Sequence, residues 1–220
     1  MQENATKETI LTNDVTIIGV ISSDFTFSHE HLGEKFYKGF VSAKRLSGVI
    51  DQIPVFIPEK FYCMLQESYQ GKHVKVTGCF RSYNKWDENS QRNRLILTVF
   101  AQTMEFLENT GEGIDRNMIT LEGTICKMPT SRTTPLSHKK ITDLLLAVNR
   151  PYNHSDYIPC ICWGYYAQVA SELPVGSYIS LNGFIQSREY TKQLTETESE
   201  KRIAYEVSVY QLDVISVPKI

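Results

Sequence analysis

Asn13-Asp-Val-Thr-Ile-Ile-Gly19-Val-Ile21 is written again, with the same asparagine, glycine and final isoleucine, as Asn117-Met-Ile-Thr-Leu-Glu-Gly123-Thr-Ile125. Two further landmarks follow in the same order. Ile53-Pro-Val-Phe-Ile57 returns as Ile158-Pro-Cys-Ile-Cys162, and Gly71-Lys-His-Val-Lys-Val-Thr-Gly78 returns as Gly176-Ser-Tyr-Ile-Ser-Leu-Asn-Gly183. The first landmark is displaced by 104 residues and the other two by 105. Chance matches would not hold their spacing, and a period this long is domain-sized, well beyond solenoid repeats of roughly 20–50 residues. The sequence therefore predicts a duplicated domain, with a first copy over 1–108, a linker over 109–116 and a second copy over 117–220.

Composition agrees with two small globular units. The 220 residues are 41% hydrophobic and 22% charged, and no run approaches the ~18 consecutive apolar residues of a membrane span. The polar start, Met1-Gln-Glu-Asn, lacks a secretory core. Five cysteines without metal-ligand spacing point to reduced thiols and a cytoplasmic location. Net charge is −2, which denies the chain the basic footprint usual for nucleic-acid binders. Any cations that act must be gathered on one face.

Both copies read as strand. Ile119, Leu121 and Ile125 alternate with Thr120, Glu122 and Thr124, the period of a half-buried strand. Ile141–Val148 and Tyr157–Trp163 are further strands. Tyr165–Leu173 is a helix with Tyr166, Val169, Ala170 and Leu173 on one face, stopped by Pro174 and Gly176. Long strands over Tyr178–Tyr190 and Ile203–Val214 flank a polar segment. Three strands, a short helix and two strands make an all-β five-stranded Greek-key barrel, the OB-fold. The first copy follows the same plan, with a helix over Phe61–Tyr69, so the expected architecture is two tandem OB-folds.

On the strand Tyr157–Trp163, alternation sends Ile158, Cys160 and Cys162 inward and Tyr157, Pro159, Ile161 and Trp163 outward. On the next strand Gln186, Arg188 and Tyr190 share a face. Rings interleaved with cations suit sequence-tolerant single-strand binding, since every base offers a π-face and every nucleotide a phosphate. A ring in a strand is equally a core residue with its polar atom bonded, and taken alone Trp163 reads either way.

The second copy resembles the bacterial single-stranded-DNA-binding protein family. The stretches that carry the resemblance are Asn117–Gly123, Leu145–Arg150, Tyr157–Gly164 with Ala167–Ala170, and Gly176–Tyr190. The resemblance implies single-stranded DNA binding in replication, recombination or repair. It places stacking aromatics at Tyr152, Tyr157, Trp163 and Tyr190, and phosphate contacts at Arg150, Arg188 and Lys192. It also implies a homodimer presenting four OB-folds. The family's acidic recruiting tail is not expected here, since the chain reads Val214-Ile-Ser-Val-Pro-Lys-Ile220.

The first copy departs from that pattern. The four ring positions fall on Ser47, Gln52, Pro58 and Lys85, and only Arg45 is kept opposite Arg150. The first copy would then supply pairing surface, or a weaker DNA contact through Arg45, Arg81, Tyr83, Trp86, Arg92 and Arg94. Cys160-Ile-Cys162 has no second ligand pair for zinc. No phosphate loop, nucleophile elbow or acid–base carboxylate pair is present. No cofactor, metal or enzymatic activity is expected. The competing reading is an OB-fold interaction subunit of a primosome or mobile-element complex, which the near-neutral charge favours.

Overall fold

The repeated asparagines show why the two halves fold alike. In a computed structural model describing residues 12–65, 69–88, 91–108, 115–134, 138–193 and 199–219, Asn13 donates through Nδ2 to the Phe80 carbonyl (2.8 Å). Its Oδ1 accepts from the Phe80 N–H (2.8 Å). Asn117 makes the same pair with Ile185, at 2.6 and 3.0 Å. Each side chain thus completes the hydrogen bonding of a strand where ladder pairing has run out.

The first barrel is built from β1 (Asn13–Ile21), β2 (Thr26–His31), β3 (Glu34–Lys44), β4 (Ile50–Pro58), α1 (Glu59–Tyr62), β5 (His73–Asp87) and β6 (Arg92–Phe106). The second is built from β7 (Arg116–Ile125), β8 (Thr130–Thr133), β9 (Lys140–Arg150), β10 (His154–Trp163), α2 (Gly164–Glu172), β11 (Tyr178–Gln193) and β12 (Ser199–Ser216). Each barrel closes through the same pairings. In the first they are β1–β3, β3–β4, a parallel β4–β6, β6–β5 and β5–β1; in the second β7–β9, β9–β10, a parallel β10–β12, β12–β11 and β11–β7. These are two OB-folds in tandem.

Two local expectations need correction. Each barrel carries one strand more than five, because short β2 and β8 fold back onto β3 and β9 as hairpins. The helix expected over Phe61–Tyr69 is a single turn, Glu59–Tyr62, held by Tyr62 stacking on Tyr37 at 3.7 Å; residues 66–68 lie outside the described residues. The second helix sits close to its expected place and buries Ala167, Ala170 and Leu173. The expected linker falls largely on 109–114, also outside the described residues. Arg116 already opens β7, and Asp115 accepts from the Lys44 N–H at 2.8 Å.

The repeated glycines mark close crossings. A Cβ at Gly123 would stand 2.5 Å from the Ala147 carbonyl oxygen, and one at Gly183 2.5 Å from that of Ser208. Gly19 and Gly78 are hemmed in the same way by Ser42 and Phe100.

The barrels join through β1 and β7, which pair antiparallel with Val15 opposite Ile119 and with Asn13–Leu121 and Ile17–Asn117 to either side. The register is symmetric, so a local two-fold axis passes between Val15 and Ile119. The core follows it, from Val15, Ile17, Val76 and Val99 in one half to Ile119, Leu121, Leu181 and Val207 in the other, all at most 1% exposed. Two buried aspartates repeat the symmetry across the joint. Asp51 accepts from the Ser187 N–H (2.8 Å) and hydroxyl (3.0 Å), while Asp156 accepts from the Ser82 N–H (2.7 Å).

Candidate nucleic-acid interface

The turn between β9 and β10 carries Tyr152 and Asn153 at φ 63° and 58°. Asparagine tolerates this left-handed region, but tyrosine rarely enters it. The result is a Tyr152 ring that is 92% exposed. Tyr157, early on β10, is 48% exposed, and Tyr190, near the end of β11, 36%. The Arg188 guanidinium lies 5.9 Å from the Tyr190 ring centroid, within cation–π range.

Trp163 differs from these three. It is half-buried, and its indole Nε1–H donates to the Ser208 hydroxyl at 2.9 Å. The expected outward face of β10 is corrected at Ile161, which is only 4% exposed. The cause is the parallel β10–β12 ladder, which sets Ile161 opposite Ser208; strands in parallel ladders are commonly covered on both faces. Ile158, Cys160 and Cys162 do point inward. Burial pushes the Cys162 thiol up to about 12 and the Cys160 thiol well above its ordinary value, which keeps both protonated rather than as metal-binding thiolates. Among the described residues no group of three His, Cys, Asp or Glu is placed to hold a metal.

The cations divide into two sets. Arg188 is open, with its Nε 3.6 Å from Glu206 Oε1 and its side chain 55% exposed. The Lys192 side chain lies outside the described residues. The other three predicted guanidiniums serve the joint between barrels instead. Arg45 grips Asp51 with two bonds of 2.6 Å and lies 5.1 Å from the Phe184 ring of the other barrel. Arg81 donates to Asp156 across the joint at 3.0 Å. Arg150 points its Nε at Asp156 from 3.5 Å without completing a hydrogen bond. All three, expected as DNA contacts, are thus engaged by carboxylates at the joint. Each faces a carboxylate that is fully buried, and a buried carboxylate needs the opposite charge.

In the first barrel Tyr83 is 37% and Trp86 53% exposed. Beneath Tyr83 lies a cluster that the sequence did not disclose. Phe56 packs edge-on to Phe100 at 5.0 Å and tilts against Tyr83 at 6.3 Å, while His29 stacks on Phe36 at 5.1 Å. Strand register explains it. Pro58 stands opposite Phe36 just as Trp163 stands opposite Ile141, and Phe100 stands beside Phe56 as Ser208 stands beside Ile161. The first barrel fills with phenylalanines the space that Trp163 and Ser208 share in the second. Lys38, two residues from both Phe36 and Phe40, joins this face. The alternation Phe36-Tyr-Lys38-Gly-Phe40 was the available signal.

The single-strand binding protein family matches residues 116–215, nearly the whole second barrel. The single-stranded DNA-binding protein of Clostridium tetani (strain Massachusetts / E88) is 34% identical over 80 residues, covering 34% of this chain and 55% of that protein. Its namesake from Halalkalibacterium halodurans is 35% identical over 81 residues, covering 34% and 48%. The chain thus spans about half the length of these curated relatives. The wild-type single-stranded DNA binding protein from Thermus aquaticus shares the fold of both barrels, with a TM-score of 0.69 over 94% of this chain and 95% of that one, at 21% identity. The second barrel, residues 116–215, is thus the part of this chain that matches the single-strand binding protein family.

Proposed function

We propose that this protein binds single-stranded DNA without reading its sequence, bases stacking on Tyr152, Tyr157, Tyr190 and the free face of Trp163 while Arg188 holds phosphate. Lys192 extends that role along β11. The observation that carries this reading is the exposure of Tyr152 on a left-handed backbone. A strained residue that presents a ring to solvent stabilises nothing in the fold, and such outliers concentrate at binding sites. Arg45, Arg81 and Arg150 act one step removed, by fixing the barrels to each other. The proposal extends to a homodimer displaying four barrels and to service in DNA replication, recombination or repair in the cytoplasm.

Titration with oligo-dT tests the reading. Stacking predicts quenching of Trp163 emission, read in a Trp86→Phe variant so that one indole reports. A second reading, an interaction subunit that uses the fold to contact protein, is favoured by the net charge of −2 and by the hydrogen-bonded Trp163. Unchanged emission and no mobility shift with oligo-dT would select it.

A further inference from the structure

Three cations gather on the outer face of the first barrel, where the ring positions of the second are missing. Lys85 on β5 stands directly opposite Arg94 on β6. Lys38 on β3 stands opposite Phe56, whose ring contacts Tyr83 two residues before Lys85. Burial, and then the charges of Lys85 and Arg94, lower the Lys38 ammonium below its ordinary value. Among the described residues none of the three forms an ion pair. Like charges placed opposite each other across a ladder weaken it, so the fold holds this group at a cost that an anion would relieve. The position matching Lys38 in the second barrel is Asp143, neutralised by Arg132 at 2.7 Å. The unpaired cluster therefore belongs to the first barrel and is not inherited from the repeat.

We propose that Lys38, Lys85 and Arg94 form a second track for the same single-stranded DNA, taking its phosphates while Tyr83 and Trp86 lie alongside the bases. This rests on the single-strand binding proposed above and adds a division of labour. The second barrel stacks bases on rings, and the first neutralises backbone. The barrels lie edge to edge at this level, since Arg202 of β12 reaches Asp87, the neighbour of Trp86, at 3.4 Å.

The test compares the full chain with a Lys38→Gln/Lys85→Gln/Arg94→Gln variant, on oligo-dT of about 12 nucleotides and of about 40, lengths bracketing one barrel and two. On the long oligonucleotide the slope of log K against log salt should fall by about 2, at roughly 0.7 per single-strand phosphate contact. On the short one it should barely change. Trp86 emission in a Trp163→Phe background should be quenched by the long oligonucleotide alone. A Lys85→Gln/Arg94→Gln pair, leaving half-buried Lys38 in place, should lower the long-oligonucleotide slope by about 1.4 and keep the parent's Tm. Parent-like slopes in both variants, with Trp163→Ala still weakening binding, overturn the second track alone. If Trp163→Ala and both variants all bind like the parent, the proposed function itself fails.

Discussion

Asp51 and Ser187 stand 136 residues apart, yet the carboxylate of one accepts both the N–H and the hydroxyl of the other across the joint between barrels. Asp156 and Ser82 repeat the contact on the other side of the local axis. Because each aspartate is also gripped by arginine, the joint is a pair of buried charge clusters flanking the β1–β7 ladder.

Removing one partner from such a cluster leaves charge buried without compensation. Asp156→Ala strands Arg81, Arg150 and the Ser82 N–H, and should cost about 3–5 kcal/mol. Urea unfolding monitored by tryptophan emission measures it. Asp51→Ala should behave alike, and a loss below 1 kcal/mol in both would show that the clusters do not hold the barrels together.

Tyr152 separates folding from binding. Tyr152→Gly relieves the left-handed backbone at φ 63°, so thermal stability should hold or rise. Affinity for oligo-dT should fall by roughly 1–3 kcal/mol. A variant that binds like the parent removes this ring from the interface.

The arginines should divide by role. Arg188→Ala should flatten the salt dependence of oligo-dT binding by about 0.7 with little change in stability. Arg45→Ala should do the reverse, leaving the slope alone while lowering the urea midpoint. Swapped outcomes would mean that the joint and the binding face have been exchanged.

Alkaline titration reads the buried thiol. The folded value of Cys162, about 12, exceeds its ordinary value of 9.0, so the folded state binds this proton more tightly than the unfolded chain does. That stability is complete below about pH 9 and drains as pH rises toward 12, on the order of a few kcal/mol in all. Cys162→Ala should flatten stability across this window, and an unchanged profile would place the pH dependence elsewhere. At pH 8 exposed Cys63 should react with a thiol reagent far ahead of Cys160 and Cys162.

What the sequence disclosed, and what it hid, follows from the range of each interaction. The repeated asparagines and glycines were legible because each is demanded by a backbone crossing that recurs at fixed spacing. Ile158, Cys160 and Cys162 were legible because alternation along one strand suffices. Ile161 was misjudged because its cover comes from β12, paired in parallel some fifty residues away. The partners of the arginines were hidden for the same reason. Nothing near Arg81 in the sequence announces that Asp156 will sit 3.0 Å from its guanidinium. The phenylalanine bed of the first barrel draws on three strands, and no single stretch contains it.

The β1–β7 ladder carries one more implication. When two identical subunits meet about a dyad, every substitution is forced to appear on both sides. Here the two rotation-related halves are covalently one molecule, so each is at liberty to drift. Lys38 facing one solvent and Asp143 the other, or Pro58 against Trp163, are differences that no self-pairing protomer can acquire. Covalent linkage leaves a symmetric contact open to specialisation.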